Sequence, residues 1–213
     1  MSHAATLAPD APRGMPGMGV YNMKLGMWVF LLSEVMFFTS LIGAYIILRF
    51  ANPDAFARPG VVLNVPLTAF NTFVLICSSV TMVKAFAAIE EGDQAGLKKW
   101  LIATALLGMF FLSVQAYEYY KLASHGFIPR VEGYHAAGRP LYGSTFYTMT
   151  GFHGTHVTIG VLCLWFTVLQ AFRGRYTAVN HAGVETMGLY WHFVDLVWAF
   201  LYGVLYLGIA ARM

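Results

Sequence analysis

Long apolar stretches alternate with short polar ones along most of the chain. Each of five apolar stretches is long enough for a helix to cross a bilayer, because a hydrocarbon core of about 30 Å takes about 20 helical residues. They lie at about residues 25–49, 65–88, 98–120, 145–172 and 186–210. Within each stretch the apolar residues are continuous. In a membrane-spanning strand, apolar and polar residues would alternate. The pattern therefore predicts an all-α fold, a polytopic membrane helix bundle with five transmembrane helices.

The connections between these stretches carry turn-forming and charged residues. Proline and glycine interrupt the first connection, and acidic residues around a glycine form the second. The third is the longest, and two arginines around a glycine open the fourth. The segments are 52–60, 90–93, 125–143 and 173–175.

The chain begins with a segment of a different composition. Residues 1–24 are rich in proline, glycine, alanine and methionine, and no basic segment precedes an apolar one as in a secretory signal. We therefore predict a mobile N-terminal tail over residues 1–24. Residues 25–213 then form a single five-helix transmembrane domain.

Composition agrees with a membrane protein. Of the 213 residues, 58% are hydrophobic and only 11% are charged, whereas soluble domains have about 25% charged residues. The net charge of +3 is small and comes without a basic block, so no nucleic-acid partner is expected.

Five spans place the two ends of the domain on opposite sides of the membrane. Basic residues are divided almost evenly between the two sets of connections, so the positive-inside rule does not decide the orientation. We compare the depths of residues with the N-terminus placed inside. The opposite orientation would exchange the two faces for every residue, so residues at the same level would stay at the same level.

Several ionisable residues lie inside the apolar stretches. A charged side chain at this depth costs about 2.5–3.5 kcal/mol on insertion scales, so its presence needs a reason. These residues are Glu34, His153, His156, His192 and Asp195.

Depth along the helices brings three of these residues to one level. With a rise of 1.5 Å per residue, Glu34 and Asp195 lie about 14 Å from the inner face and His156 about 13 Å. His192 lies about 5 Å nearer the inner face, and His153 about 5 Å nearer the outer one. We therefore hypothesise one buried carboxylate–imidazole cluster of Glu34, His156, His192 and Asp195 that fixes helix packing.

Three interpretations of these polar residues stay open at this point. The histidines could ligate haem or, with a carboxylate, a metal ion. Glu34 has no basic neighbour in its own span and could carry a proton. The third interpretation is packing, in which polar side chains bond helices together.

Other positions have simpler expectations. Gly151 and Gly154 would allow a close helix approach, and Glu118 is expected at the outer interface, where a carboxylate costs little. Arg173 and Arg175 could contact lipid head groups, or could simply set the topology. Aromatic residues of the last span are expected at an interface or against lipid: Tyr190, Trp191, Trp198, Tyr202 and Tyr206.

Five short strings, taken in order, resemble subunit III of the haem–copper oxidases, and most of all the cytochrome c oxidase branch. The resemblance covers about residues 25–210, and the loop Glu90-Glu-Gly-Asp93 resembles that family as well. The strings are Ser33-Glu-Val-Met-Phe-Phe38, Gln115-Ala-Tyr-Glu-Tyr-Tyr120, Tyr142-Gly-Ser-Thr-Phe146, Gly151-Phe-His-Gly-Thr-His-Val157 and Tyr190-Trp-His-Phe-Val-Asp195.

The resemblance implies a non-redox subunit without haem or copper of its own. Its expected partners are oxidase subunit I, with haems and a copper, and subunit II, with another copper centre. The complex would take electrons from cytochrome c, reduce oxygen to water and pump protons. The expected roles of subunit III are to stabilise the catalytic subunit, support proton uptake, bind membrane phospholipids and guide oxygen inward.

The resemblance also assigns positions. Glu34 matches the family's carbodiimide-reactive buried glutamate, and His153, His156, His192 and Asp195 match its other polar signature positions. It implies a bacterial inner (plasma) membrane location with the N-terminus cytoplasmic and the C-terminus outside. Membership of a larger respiratory supercomplex stays open.

The chain departs from the longer, seven-span family members, because only 24 residues precede its first span. It is similar to the short, five-span bacterial type, so lipid contacts on the two extra helices are not carried over. Within the superfamily, subunit III of a quinol oxidase and the protein associated with nitric oxide reductase are the alternatives. An independent transporter or haem-binding membrane protein is an alternative of a different class.

Overall fold

The described part of the molecule consists of long helices joined by short connections. The computed structural model describes residues 22–53, 56, 63–125 and 140–207. Within these ranges there is no strand, and all five helices are long and apolar enough to cross a membrane. The helices are α1 (Asn22–Ala51), α2 (Val65–Glu90), α3 (Gln94–Ser124), α4 (Pro140–Phe172) and α5 (Ala182–Leu205). The prediction of an all-α bundle of five membrane-spanning helices is confirmed.

The helix ends differ from the predicted spans by a few residues. The first four helices extend beyond the apolar stretches, whereas α5 begins at Ala182 and ends at Leu205 rather than at residue 210. Side-chain caps explain part of the extension. Asp93 Oδ1 accepts hydrogen bonds from the backbone N–H groups of Ala95 and Gly96, at 3.0 and 2.9 Å, so α3 begins in polar sequence.

The predicted tail lies largely outside the described residues. Residues 22–24, which the sequence pattern assigns to the tail, belong to α1. Lys24 pairs there with Glu185 of α5.

The last helix is the centre of the bundle. It packs on α1, α2 and α4, while α3 packs between α2 and α4. Two buried tryptophans fasten α5 to α2: Trp191 Nε1 donates to Ser78 Oγ, and Trp198 Nε1 donates to Thr72 Oγ1, both at 2.9 Å. Such pairing satisfies the indole N–H groups in a medium without water.

The first helix is peripheral. In the most apolar 18-residue stretch of this helix only 17% of the residues are buried, against 56% in the corresponding stretch of α5. It packs on α5 and, over a shorter stretch, on α4. Most of its surface is therefore not covered by the other helices that the structure describes.

Close helix approach occurs at glycines other than those predicted. A Cβ atom at Gly108 would lie 2.7 Å from Trp191 Cη2, and one at Gly160 would lie 3.0 Å from Trp191 Cζ3. At Gly151 and Gly154 no atom of the described residues lies within 4 Å of such a Cβ, so the expected close helix approach is not found there. The bulk of Trp191, which is almost fully buried, determines where glycine is needed.

Candidate functional site

A carboxylate–imidazole pair joins α1 to α4 near the middle of both helices. Glu34 Oε2 lies 3.1 Å from His156 Nε2, and both side chains are half-buried. Phe38 packs edge-on against the imidazole, with 5.2 Å between ring centroids. Pairing of this kind lowers the cost of holding two ionisable groups at membrane depth.

The hydrogen bonds of His156 restrict where its proton can be. Its Nδ1 atom lies 2.8 Å from the carbonyl oxygen of Phe152, which can only accept, so Nδ1 carries hydrogen. The bond to Glu34 then holds one further proton, either on the carboxyl group or on Nε2. In either arrangement the hydrogen bond between the two side chains joins α1 to α4.

A second polar group joins α5 to α2. Ser79 Oγ donates to Asp195 Oδ2 at 2.7 Å and lies 3.1 Å from His192 Nδ1. All three side chains are half-buried. Oδ1 of Asp195 is buried and has no hydrogen-bond partner within the described ranges.

The third group is His153, which lies in the core. Its side chain is 1% exposed and its ring stacks on Trp198, with 4.9 Å between centroids and an angle of 25° between planes. Neither ring nitrogen has a hydrogen-bond partner among the residues that the structure describes.

The structure therefore divides the predicted cluster. Glu34 pairs with His156, whereas Asp195 and His192 share Ser79, so the four residues do not form the single cluster that we hypothesised. The depth calculation gives the level of a residue along its helix but not the direction in which its side chain points. Asp195 is turned towards α2, and Glu34 towards α4.

Two of the residues involved were missed or misplaced by sequence reasoning. Ser79 is half of a serine pair in an apolar stretch, which was the available signal for it. Glu118 is not at a polar interface: it is 4% exposed, and its two oxygens accept from Thr68 Oγ1 at 2.8 Å and Tyr206 OH at 3.1 Å. The aromatic residues near α5 are also mostly buried, in place of the expected contact with lipid.

A cleft of about 810 Å³ opens between α1, α4 and α5. Glu34 and His156 lie along it, and Arg175 and Tyr176 lie at the end formed by the α4–α5 connection. Arg173, the other candidate head-group contact, does not line it. The lining is otherwise mainly apolar and includes Met27, Phe30, Ile159, Cys163, Phe166 and Tyr190.

Two features shape the end of the cleft near the α4–α5 connection. The ion pair of Lys24 and Glu185 links α1 to α5 there. Burial raises the pKa of the Tyr176 hydroxyl, against smaller opposing effects of a hydrogen bond with Thr167 and the charge of Arg175. The Tyr176 hydroxyl is therefore neutral at physiological pH.

The histidines and carboxylates do not converge. Among the described residues, no group of three or more His, Cys, Asp or Glu side chains is placed to hold a metal ion. The polar groups instead join pairs of helices: α1 with α4, and α2 with α5.

Five apolar helices, paired polar side chains at mid-membrane depth and a mainly apolar cleft define a polytopic membrane protein with a packed, partly polar interior. The family model for cytochrome c oxidase subunit III matches residues 14–209. The chain belongs to this family, and the resemblance found in the five sequence strings is confirmed.

Curated relatives cover most of the chain. It is 38% identical over 205 residues to cytochrome c oxidase subunit 3 of Synechocystis sp., an alignment that covers 95% of this chain and 82% of the relative. It is 38% identical over 185 residues to a probable cytochrome c oxidase subunit 3 of Mycobacterium bovis, covering 86% and 87% of the two chains. The corresponding protein of Corynebacterium diphtheriae is 36% identical over 200 residues, covering 92% and 93%.

Proposed function

We propose that this chain is the non-redox subunit III of a proton-pumping terminal oxidase that reduces oxygen to water. The observation that carries the proposal is the family match over residues 14–209, which includes every polar group described above. In this proposal subunit I supplies haems and copper, subunit II supplies a further copper centre, and cytochrome c is the electron donor. The chain itself holds no cofactor and stabilises the catalytic subunit.

The proposed location is a bacterial plasma membrane with the N-terminus of α1 cytoplasmic. In that orientation the α4–α5 connection is cytoplasmic too, since α4 runs inward. The end of the cleft with Arg175 and Tyr176 then faces the side from which protons are taken up.

The proposed role of Glu34 and His156 is to hold and exchange one proton beside the cleft. The support is their geometry: the 3.1 Å bond joins two titratable groups, and Nδ1 of His156 is held by a carbonyl. A proton can move along this bond with little change in the positions of α1 and α4. The mainly apolar cleft is also proposed to admit oxygen.

A host strain from which the chain is deleted tests this function. It is complemented with the wild-type chain or with Glu34→Gln, whose amide keeps the size and one hydrogen bond to His156. We expect Glu34→Gln to be retained in the oxidase as well as wild type, but to support slower proton uptake, because the exchangeable proton is lost.

The deletion strain is the reference for that comparison. Its oxidase is expected to keep its haem spectrum and to lose activity after fewer turnovers than the complemented enzyme. If proton uptake and activity lifetime were the same with and without the chain, the proposed function would be wrong. If the Glu34→Gln enzyme took up protons as fast as wild type while the deletion strain did not, Glu34 and His156 would serve packing alone.

We further propose that the cleft holds one or more phospholipids, with a head group at Arg175. The cleft is mostly apolar along its length and has a cation at one end, as a lipid with an anionic phosphate requires. The two arginines offer a matched pair of variants, because both are exposed and only Arg175 lines the cleft.

Lipid analysis of the purified protein tests this assignment. We expect Arg175→Gln to lose phospholipid that wild type and Arg173→Gln retain after extensive detergent washing. Equal retention by both variants would place the lipid elsewhere.

A further inference from the structure

An exposed strip of α5 carries polar side chains at mid-membrane depth. Leu196 and Phe200 are 58% and 61% exposed, and the half-buried His192 and Asp195 lie beside them. Asp195 is about 20 Å from the start of α5 and about 15 Å from its end, at 1.5 Å per residue. These polar groups are therefore far from either membrane surface.

The strip lies between two sides of α5 that are already occupied. Trp191 and Trp198 bond to α2, and Phe193 packs against Phe38 of α1, with 6.4 Å between ring centroids. At 100° per residue, the direction of His192 and Leu196 falls between these two sides.

The neighbouring surface of α2 continues the strip. Ser79 is half-buried, and the residues around it are exposed and apolar: Ile76, Val80 and Val83. The combined surface is an apolar one with the polar group of Ser79, His192 and Asp195 within it. We call it the α2–α5 face.

The hydrogen bonds of this polar group define what it can still accept. Ser79 has one hydroxyl proton and donates it to Asp195, so the nitrogen facing Ser79, Nδ1 of His192, must be the donor in that contact. In the neutral imidazole Nε2 is then an acceptor, and no hydrogen bond reaches it from the described residues. The face offers an acceptor and needs a donor.

Lipid chains cannot supply that donor. Ionisable residues within membrane spans almost always face a protein interior or a water-filled cavity, or pair with one another. Glu34 and His156 lie along the cleft, and His153 is fully enclosed. The α2–α5 face is thus where a half-buried ionisable group lies within exposed apolar surface outside the cleft.

We infer that the α2–α5 face is the docking surface for a transmembrane helix of the catalytic oxidase subunit. That helix carries a hydroxyl, amide or indole donor at mid-membrane depth, which bonds to Nε2 of His192. The inference rests on the proposed function, because it assumes that the chain is held in an oxidase complex. It adds which surface is used and the chemistry of the partner at the contact.

Site-specific photocrosslinking tests the surface in the intact complex. p-Benzoylphenylalanine replaces Leu196 on the α2–α5 face or, as the matched control, Leu162 on α4, which is 65% exposed. We expect crosslinks from position 196 to the large haem-carrying subunit. From position 162 we expect no crosslink to that subunit, and either lipid adducts or no product.

The outcomes separate this inference from the proposed function. Two outcomes would overturn the docking surface and leave the function intact. In one, only position 162 crosslinks to the haem-carrying subunit. In the other, that subunit co-purifies but neither position crosslinks to it. If no haem-carrying subunit co-purifies, both fail.

A substitution at the acceptor gives a second, independent test with opposite expectations. His192→Leu removes Nε2 together with the bond from Nδ1 to Ser79, and it replaces the imidazole with an apolar side chain of similar size. If the face docks a donor, retention in the complex falls about 3-fold and by at most about 20-fold, the mean and the maximum measured for hydrogen bonds between membrane helices. If the face contacts lipid, retention is unchanged, which would contradict the inference.

Discussion

At the scale of single residues, the membrane interior makes each polar atom informative. A hydroxyl, imidazole or carboxyl group there finds a partner within the protein or is costly to bury. Glu118 illustrates the point, since Thr68 and Tyr206 from two other parts of the chain donate to its two oxygens. Polar contacts of this kind fix the rotation of one helix against the next.

Gly108 allows a prediction about packing. We expect Gly108→Ala to destabilise the chain by about 1–3 kcal/mol, because the new methyl group would meet the rigid ring of Trp191. Gly151→Ala is the matched control, since it lies in open space and alanine favours the helix. Unfolding in mixed detergent micelles measures both.

The comparison of the two variants decides the result. Equal stability of Gly108→Ala and Gly151→Ala would mean that Trp191 can move aside, contrary to the close packing described. A loss at Gly151 alone would place the tight contact where the sequence pattern predicted it.

At the scale of helices, the sequence predicts number and order well but not rotation. The five apolar stretches determine the five helices, because length and hydrophobicity suffice for a span. They contain almost no helical periodicity, since lipid and protein interior are both apolar. The side of α5 that carries Asp195, and its contact with Ser79, therefore could not be predicted.

The candidate site shows the same limit. Its residues were identified from their cost at membrane depth, and the calculated depths of Glu34 and His156 agree with a direct bond. Their separation from His192 depends on how each helix is rotated about its axis, and the depth of a residue gives no information about that rotation. Ser79 was missed because a serine in a span costs too little to be noticed.

The attachment of α1 gives a prediction at this scale. The ion pair of Lys24 and Glu185 holds the end of α1 against α5, and both side chains are partly exposed, at 38% and 28%. Exposed pairs contribute at most about 1 kcal/mol. We therefore expect Lys24→Glu to loosen the cleft and lower phospholipid retention without unfolding the bundle.

The exchanged pair is the control for that prediction. The double variant Lys24→Glu with Glu185→Lys restores opposite charges and is expected to recover lipid retention. No recovery would mean that the charges act separately, and that the ion pair does not hold α1 in place.

At the scale of the whole molecule, the chain has the character of one part of a larger assembly. Its α1 is mostly uncovered, and its α2–α5 face carries a polar group within exposed apolar surface. Both features fit a subunit whose remaining contacts come from partners. This agrees with membership of the cytochrome c oxidase subunit III family.

Purification of the tagged chain from its own membranes in mild detergent tests the central claim most directly. A reduced-minus-oxidised spectrum and identification of the co-purified subunits follow. We predict haem absorbance together with a large partner subunit, and loss of both when this chain is stripped away. A chain that purifies alone and colourless would contradict the account, and one that is alone and coloured would show that it binds haem itself.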